Sequence, residues 1–249
     1  MGFSENRSIE QPALKVFSEL GYDIVDLFYE KFGPSNPLGR ETSSDVVLKK
    51  ILKQKLTEFN PAAAVNVIEK AIDEITKDRS SLNPLMANQE IYELLKKGIK
   101  IQTTNDKDEQ ITTIIKVIDW NDPKQNHFLI ASQMWISGEL HNRRPDLVGF
   151  INGLPLIVSE VKKFTKNVKH AYDDNLSDYL DTIPQLFWFN ALVILSNGIE
   201  SKVGTFSAPW EHFNDWKRIS EEDEKGVVSL ETMIKGVCEK NRIDRKSVV

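Results

Sequence analysis

The amino-acid sequence predicts an α/β protein in which a helical N-terminal region joins a central sheet flanked by helices. Over roughly the first hundred residues, apolar side chains recur at helical spacing. Beyond residue 110, short runs rich in β-branched and aromatic residues replace that spacing, as is typical of strands. The chain has 249 residues and is 40% hydrophobic, which suffices for a buried core and excludes a disordered protein.

Four helices are predicted in the N-terminal region. Ser8, followed three residues later by Gln11, fits a capping box, and Gly21 ends the first helix. A loop over residues 33–40 follows, because Gly and Pro are frequent there. The other three helices are predicted from the spacing of their apolar residues, over residues 44–59, 62–78 and 84–97.

Strands and helices alternate in the part of the chain that follows. Asn152-Gly153 separates two apolar runs and is a strong hairpin signal. One helix is predicted over residues 168–183 and another near residues 228–240. The strands are predicted over residues 111–119, 127–136, 146–151, 155–162 and 190–196, with an edge strand over residues 201–207.

Composition limits the cellular setting and the kinds of site. Apolar runs such as LPLIV are too short to span a bilayer, and the first ten residues lack the apolar stretch of a secretory signal. Cys238 is the only cysteine, which excludes a disulfide framework within the chain and a multi-cysteine zinc site. We expect a soluble, cytoplasmic protein without a membrane partner. Four histidines lack zinc-ligand spacing and are interpreted as structural or exposed: His127, His141, His170 and His212.

An acidic and a basic residue interrupt one apolar strand. Glu160 and Lys162 are separated by one residue, so both project from the same face of that strand. Asp146 begins the preceding strand and would lie beside them. Two carboxylates at one point suit a hard divalent cation such as Mg²⁺, and a neighbouring lysine can orient water or stabilise charge on a phosphate. This combination favours hydrolysis of a phosphodiester, although an E-x-K triplet taken alone is also typical of a surface ion pair.

The register of the hairpin tests this interpretation. A strict two-residue turn at Asn152-Gly153 would pair Pro145 with Glu160 and direct Asp146 to the opposite face. A three-residue loop or one β-bulge would place Asp146 opposite Glu160. The site therefore predicts such an irregularity in the hairpin.

The sequence resembles a known family at these residues. Pro145-Asp146 followed by Glu160-x-Lys162 resembles the PD-(D/E)xK nuclease signature. The wider sequence is similar to the N-terminal domain of the restriction (R) subunit of type I restriction–modification enzymes. The resemblance implies a restriction-endonuclease-like fold with a mixed central sheet, Asp146 and Glu160 as metal ligands, and Lys162 as the catalytic lysine. The similar segments are residues 9–22, 39–48, 117–133, 143–163 and 183–198.

Three further residues are candidates by this resemblance. Glu10 matches an acidic position that often joins such sites, but a carboxylate at a helix start is also favoured by the helix dipole. The family's Q-x-x-x-Y motif corresponds best to Asn175-x-x-x-Tyr179, with Asn in place of Gln. The spacing puts Asn175 and Tyr179 on one helix face, where they would support the site or contact DNA; Tyr179 is alternatively a core residue.

The net charge of −5 argues weakly against a nucleic-acid partner, but its distribution reverses that inference. Residues 141–170 carry six Lys or Arg against two acidic residues, a balance of +4. Such a cluster would hold a phosphate backbone, or it is a solvated helix start. Trp135 is expected in the core. Besides Lys162, the basic residues are Arg143, Arg144, Lys163, Lys166 and Lys169.

The resemblance implies a Mg²⁺-dependent endonuclease domain acting on double-stranded DNA, with methyltransferase and specificity subunits as partners and cleavage after motor-driven translocation. Residues 1–215 would form the nuclease domain, helical to about residue 100, and 216–249 a linker towards a motor. The sequence has no G-x-x-x-x-G-K-S/T, so ATP would serve only a longer subunit, and we interpret the chain as a nuclease domain separated from its motor. A stand-alone repair or junction nuclease and a catalytically idle interaction module are the alternatives.

Overall fold

A seven-stranded mixed sheet forms the centre of the computed structural model, which describes residues 7–104, 108–216 and 229–242. Two pairs of neighbouring strands, one at an edge of the sheet (Asp23–Asp26 with Phe128–Ser132) and one in its middle (Leu154–Val161 with Leu192–Ser196), are parallel, and the remaining neighbours are antiparallel. The predicted α/β fold with a mixed central sheet flanked by helices is confirmed. In spatial order, the strands are β1 (Asp23–Asp26), β4 (Phe128–Ser132), β7 (Leu147–Ile151), β8 (Leu154–Val161), β9 (Leu192–Ser196), β10 (Ser201–Gly204) and β11 (Asn214–Asp215).

Two small antiparallel ribbons and six α-helices accompany the central sheet in the described part. One ribbon pairs β2 (Ile99–Thr104) with β3 (Gln110–Ile115), and the other pairs β5 (Ile136–Ser137) with β6 (Asn142–Arg143). None of the described helices combines the length and apolarity needed to cross a membrane. The helices are α1 (Arg7–Glu19), α2 (Lys49–Phe59), α3 (Val65–Thr76), α4 (Pro84–Lys97), α5 (Ser177–Thr182) and α6 (Ser229–Val237).

The two central strands are buried along their whole length. Every residue of β7 and of β8 is buried, which explains why both strands read as nearly continuous apolar runs. Ser159 and Glu160 are therefore polar residues inside the core. A buried carboxylate is costly unless other groups compensate its charge, so the surroundings of Glu160 need to provide that compensation.

The predicted hairpin between β7 and β8 has a two-residue turn. Asn152 and Gly153 both have positive φ angles, 51° and 83°, as a type I′ turn requires. Ile151 pairs with Leu154 across this turn. Of the two irregularities that the sequence left open, the three-residue loop is therefore absent, and the other one, a bulge, lies further along the strands.

A β-bulge changes the pairing register two residue pairs beyond the turn. The register shifts after Phe150, so that Gly149 pairs with Ile157 and Leu156 is the additional residue of β8. From there the strands pair regularly as far as Leu147 with Ser159. The next position on each strand brings Asp146 opposite Glu160, and the Asp146 amide donates to Glu160 Oε2. The predicted irregularity, and with it the alignment of the two carboxylates, is confirmed.

Several elements differ from the sequence predictions. β1 was not predicted, and it adds a parallel edge strand within the predicted helical region. Residues 44–48 are not helical, and the Leu48 amide instead donates to the carbonyl oxygen of Gly153 at 2.8 Å. β2 was not predicted either, and it pairs with β3 in an antiparallel ribbon.

Other predicted elements are shorter than expected. The strand predicted over residues 127–136 ends at Ser132, because Gln133 adopts a φ of 56° that a strand does not accommodate. The helix predicted over residues 168–183 consists of a π-helical segment, Ala171–Leu176, followed by α5. The side chain of Ser8 and residues 217–228 and 243–249 of the predicted linker lie outside the described residues, and the predicted domain boundaries stay predictions.

Candidate active site

The hairpin places three predicted residues at one end of the central strands. Asp146 directly precedes β7, Glu160 is the penultimate residue of β8, and Lys162 follows β8. The Lys162 amide donates to the carbonyl oxygen of Ser196 at 2.7 Å, which keeps its backbone in line with the sheet. The exposed fractions of Asp146 and Glu160 are 7% and 4%.

Backbone amides of the opposite strand hold the two carboxylates. Asp146 Oδ2 accepts a hydrogen bond of 2.9 Å from the Val161 amide, and Glu160 Oε2 accepts a longer one of 3.5 Å from the Asp146 amide. Burial raises the pKa of the Glu160 carboxyl well above its usual range, and the charge of Asp146 raises it further against the opposing charge of Lys162. The chain thus keeps two carboxylates side by side in a place that disfavours their joint ionisation.

Asn175 connects Glu160 with Lys162. Its Nδ2 donates to Glu160 Oε1 at 2.6 Å, and its Oδ1 accepts a hydrogen bond from Lys162 Nζ. Lys162 Nζ also lies 3.9 Å from Glu160 Oε1. An amide has both a donor and an acceptor, so Asn175 can hold the carboxylate and the ammonium at the same time.

Tyr179 contacts the same carboxylate from one turn further along the helix. Its hydroxyl donates to Glu160 Oε2 at 3.0 Å, and its ring is buried. Burial and the nearby Glu160 charge raise the pKa of the Tyr179 hydroxyl, which keeps it a donor. Tyr179 is therefore a core residue and a partner of Glu160 at once. Asn175 lies in the π-helical segment, a local geometry that is frequent at functional sites.

Glu10 reaches the site through Gln133, which sequence analysis missed. Gln133 Nε2 donates to Glu10 Oε2 at 3.0 Å, and the Gln133 amide donates to the carbonyl oxygen of Asp146 at 3.0 Å. Glu10 is 3% exposed, so it is more than a solvated carboxylate at a helix start. Among the described residues, no three His, Cys, Asp or Glu side chains group into a metal site. Glu10 therefore stands beside the Asp146–Glu160 pair and does not complete a carboxylate triad with it.

Two of the predicted basic residues form ion pairs with acidic side chains. Arg143 forms two hydrogen bonds with the Asp178 carboxylate, one of them 2.6 Å long, from Arg143 Nη2 to Asp178 Oδ1. Lys169 Nζ pairs with Asp173 Oδ2 at 3.0 Å on the exposed helix surface. These two cations already have acidic partners, a fact that counting charges along the sequence did not reveal.

Arg144 lies between two aromatic rings near the site. Its guanidinium carbon is 4.7 Å from the centre of the Phe28 ring and 4.9 Å from that of the Trp135 ring. Trp135 is 37% exposed, so the expectation that it belongs to the core is wrong. Lys163 is half-buried and Lys166 is exposed on the segment that follows Lys162. No sequence signal pointed to Phe28, which meets Arg144 only in the folded chain.

The donor set at the site fits a hard divalent cation. Asp146 and Glu160 supply adjacent carboxylate oxygens, the ligand type that Mg²⁺ prefers, and Mg²⁺ commonly binds proteins through one or two carboxylates and water. A divalent cation would also neutralise the like charges that raise the pKa of Glu160. Asp146 and Glu160 are thus the residues that would hold it.

Sequence comparisons agree with the resemblance found from the motifs. The family model described as "Type I restriction enzyme R protein N terminus" matches residues 2–212. The chain is 29% identical over 236 residues to the "Putative type I restriction enzyme MjaIXP endonuclease subunit" of Methanocaldococcus jannaschii, covering 92% of the chain and 22% of that protein. It is 26% identical over 245 residues to the "Type I restriction enzyme HindI endonuclease subunit" of Haemophilus influenzae, covering 93% of the chain and 22% of that protein.

The chain spans about a fifth of the length of these two relatives. The match with the family model nevertheless extends over nearly the whole chain and includes Asp146, Glu160 and Lys162. The resemblance predicted from the sequence is confirmed, and the chain belongs to the family formed by the N termini of type I restriction enzyme R proteins.

Proposed function

We propose that this chain is a Mg²⁺-dependent DNA endonuclease domain of a type I restriction enzyme. The observation that carries the proposal is the β-bulge, which aligns buried Asp146 with buried Glu160 while Lys162 follows on the same strand. Two buried carboxylates that can hold a divalent cation and an adjacent lysine that can stabilise phosphate charge suit the hydrolysis of a phosphodiester. The names of the relatives, which are endonuclease subunits, support the same conclusion.

Each residue of the site has a separate role in this proposal. Asp146 and Glu160 hold Mg²⁺, which supplies Lewis-acid stabilisation of phosphate charge and a more acidic water. Lys162 orients the attacking water and balances charge that develops on the phosphate. Asn175 and Tyr179 are positioning residues, since both bind Glu160 and Asn175 also binds Lys162.

The proposed substrate is the backbone of double-stranded DNA. Arg144, Lys163 and Lys166 are the cations that would contact phosphates around the scissile bond. Arg143 and Lys169 contribute less than Arg144, because Asp178 and Asp173 already compensate their charges. Nothing in this set reads base edges, so we propose that target recognition belongs to a separate specificity subunit.

The proposed setting is a restriction complex with methyltransferase and specificity subunits. Cleavage would follow ATP-driven translocation by a motor that is part of a longer R subunit. The relatives that carry the names of endonuclease subunits are about five times as long as the part matched here, which leaves room for such a motor.

The decisive experiment is restriction by a reconstituted complex whose R subunit carries this chain with Lys162→Ala. We expect double-strand cleavage to be lost while ATPase activity is retained. Lys70→Ala, at an exposed lysine on α3, is the matched control and should cleave normally. Retained cleavage in the Lys162→Ala complex would refute the catalytic assignment. Cleavage of plain or branched DNA by the chain alone, without ATP, would favour a stand-alone nuclease.

A further inference from the structure

Phe164 is an exposed aromatic residue beside the proposed active site. It follows Lys162 by two residues, and its exposed fraction is 64%. Two residues of chain span at most about 7 Å, so the Cα atoms of Phe164 and Lys162 lie within that distance of each other. An aromatic ring in water gains free energy when another surface covers it. The Phe164 ring is therefore available to a substrate that occupies the site.

A β-turn carries this ring at its tip. The Lys166 amide donates to the carbonyl oxygen of Lys163 at 2.8 Å. Phe164 and Thr165 therefore occupy the two central positions of a four-residue turn. Both central residues are exposed, whereas Val168, shortly after the turn, is buried. The segment thus leaves the core, turns in solvent and returns to the core.

Hydrogen bonds to strand β9 and to the residue that follows it fix both ends of the turn. At its start, the Lys162 amide donates to the carbonyl oxygen of Ser196 at 2.7 Å. At its end, Nδ2 of the buried residue Asn197 donates to the carbonyl oxygen of Lys166 at 2.7 Å. A segment that is already held in place loses little conformational entropy when a ligand covers it. The turn therefore presents Phe164 in a preorganised position.

A second exposed apolar side chain belongs to the adjoining turn. Asn197 Oδ1 accepts hydrogen bonds from the amides of Ile199 and Glu200, at 3.1 and 2.8 Å, and Ile199 is 70% exposed. The Asn197 side chain thus joins this turn to the turn of Phe164. Because β8 and β9 are parallel, both turns emerge from one edge of the sheet, the edge at which Glu160 lies. Phe164 and Ile199 therefore stand on adjoining turns at the edge that carries the site.

Lysines precede and follow the Phe164 ring along the chain. Lys163 comes directly before it, and Lys166 is exposed and forms no ion pair with any residue that the structure describes. Positive charge beside an apolar ring suits a nucleic acid, whose phosphates meet the cations while its bases offer apolar faces. In proteins that bend DNA, apolar side chains such as Phe and Ile enter between base steps and partly unstack them. The charge and the apolar tip of the turn thus favour the same partner, DNA.

We propose that Phe164 inserts between stacked bases of the bound DNA next to the scissile phosphate, while Lys163 and Lys166 contact neighbouring phosphates. This inference rests on the proposed nuclease function and adds a deformation of the substrate to it. An aromatic ring can stack on every base, so the insertion needs no particular sequence. Mismatched bases are easier to unstack, so a duplex with one mismatch should bind more tightly than a fully paired duplex.

Fluorescence of 2-aminopurine, which rises when this base loses its stacking partners, is the readout. Short duplexes that carry it at several positions are titrated with the full chain at low salt, with a chelator present so that metal-dependent cleavage is prevented. We expect the parent chain to raise the fluorescence. Phe164→Ala should lose this rise, lose the preference for mismatched DNA and bind about tenfold more weakly in anisotropy measurements.

Two further variants make the experiment specific. Phe164→Trp keeps a ring that can stack and should retain the rise in fluorescence. Leu85→Ala removes another exposed apolar side chain, on α4, and should behave as the parent does. Circular dichroism verifies that each variant is folded, which the exposure of both positions favours.

The possible results separate this inference from the proposed function. If the parent chain binds duplex DNA without raising the fluorescence, or if Phe164→Ala raises it as the parent does, the insertion is refuted while the proposed nuclease function stands. A parent chain that binds no duplex would overturn the DNA substrate and the insertion together. Parent-like fluorescence of Phe164→Ala combined with weaker binding to the methyltransferase and specificity subunits would assign the ring to a protein partner and overturn the proposal.

Discussion

The hydroxyl group of Tyr179 donates a hydrogen bond of 3.0 Å to Oε2 of Glu160, and both residues are buried. A phenol that serves only to fill the core would not need this contact. The hydrogen bond joins helix α5 to strand β8, so the packing of α5 and the orientation of the Glu160 carboxylate depend on each other. This relationship leads to the first of five predictions.

Tyr179→Phe should separate packing from hydrogen bonding. The ring remains, but Glu160 Oε2 loses a donor that favours its charged form, so we expect weaker Mg²⁺ binding at a given pH. The midpoint of metal binding should move to higher pH, as followed by calorimetric titration of Mg²⁺ into the chain. Tyr92→Phe on α4 is the matched control. An unchanged pH profile would show that the hydroxyl does not influence Glu160.

Asn175→Ala should affect two groups at once. It removes the Nδ2 group that donates to Glu160 Oε1 and the Oδ1 atom that accepts a hydrogen bond from Lys162 Nζ. Loss of a residue that orients metal ligands typically lowers metal affinity or activity by about 10–100-fold. We expect cleavage by the reconstituted complex to fall in this range while its ATPase rate is unchanged.

Two comparisons make the Asn175 experiment specific. Asn241→Ala removes an exposed amide at the end of the described chain and should cleave as the parent does. Asn175→Gln restores the amide of the family motif and should retain much more activity than Asn175→Ala. If the Gln and Ala variants were equally impaired, a role of the amide in orienting Glu160 and Lys162 would be excluded.

Glu160 should give the stability of the metal-free chain a characteristic pH dependence. Burial, followed by the charge of Asp146, raises its pKa in the folded state, whereas an unfolded glutamate titrates near pH ~4.3. The folded chain thus retains this proton to higher pH. The resulting stability is present in full below the unfolded pKa and is lost as the pH rises through the folded pKa.

Glu160→Gln removes this titration, which makes it measurable. We expect the Tm of Glu160→Gln, relative to that of the parent chain, to increase as the pH rises from about 4.3. The scans are made with a chelator present, and the same substitution at exposed Glu69 serves as the matched control. A pH-independent difference between Glu160→Gln and the parent would contradict the raised pKa.

Gly149→Ala tests the bulge. A Cβ atom at position 149 would lie 2.9 Å from Cβ of Ile157 and 3.0 Å from Cδ1 of Ile130, both in the core. Overpacking of this kind costs about 1–3 kcal/mol, which urea unfolding can measure. Because Ile130→Val removes one of the close atoms, the double variant should lose less stability than the sum of the single variants. Strict additivity would indicate that the two side chains do not meet.

Arg143 and Arg144 should differ in DNA binding although they are neighbours. Arg144 stacks on Phe28 and Trp135 and would contact a phosphate, so Arg144→Ala should lower the slope of log affinity against log salt by about 0.9. Arg143 is paired with Asp178, so Arg143→Ala should leave that slope unchanged and instead lower the Tm. Fluorescence anisotropy with a DNA duplex at several salt concentrations distinguishes the two outcomes. Equal effects on the slope would contradict the division into paired and stacked arginines.

The site was predictable where local periodicity determines position. Side chains alternate along β8, so Glu160 and Lys162 lie on one face. A regular hairpin with a two-residue turn would direct Asp146 to the other face, so a bulge is required if Asp146 is to join them. The bulge is present, but its place next to Pro155 and Gly149 was not specified by that argument. Residues without an amide hydrogen or a side chain tolerate such irregularity best, which explains its location in retrospect.

Contacts between distant parts of the chain were not predictable in this way. Gln133 and Glu10 are separated by 123 residues, and Arg143 and Asp178 by 35. β1 consists of four residues, DIVD, whose side chains are mostly exposed, so no apolar pattern marks it; its parallel pairing with β4 makes it a strand. Tertiary pairing, which a local pattern does not contain, decides these features.

The bulge also determines how this hairpin can change in length. Asp146 and Glu160 face each other across 14 positions, an even separation, whereas a hairpin with a two-residue turn and no bulge brings together residues an odd number of positions apart. A single insertion or deletion between them, with the turn and bulge retained, would therefore send one carboxylate to the far side of the sheet. Changes of two residues, or of one residue combined with loss of the bulge, would keep both carboxylates on the same face of the sheet, and one residue added to each strand would keep them opposite each other. Viable hairpins of different length in this protein should therefore obey an odd–even rule.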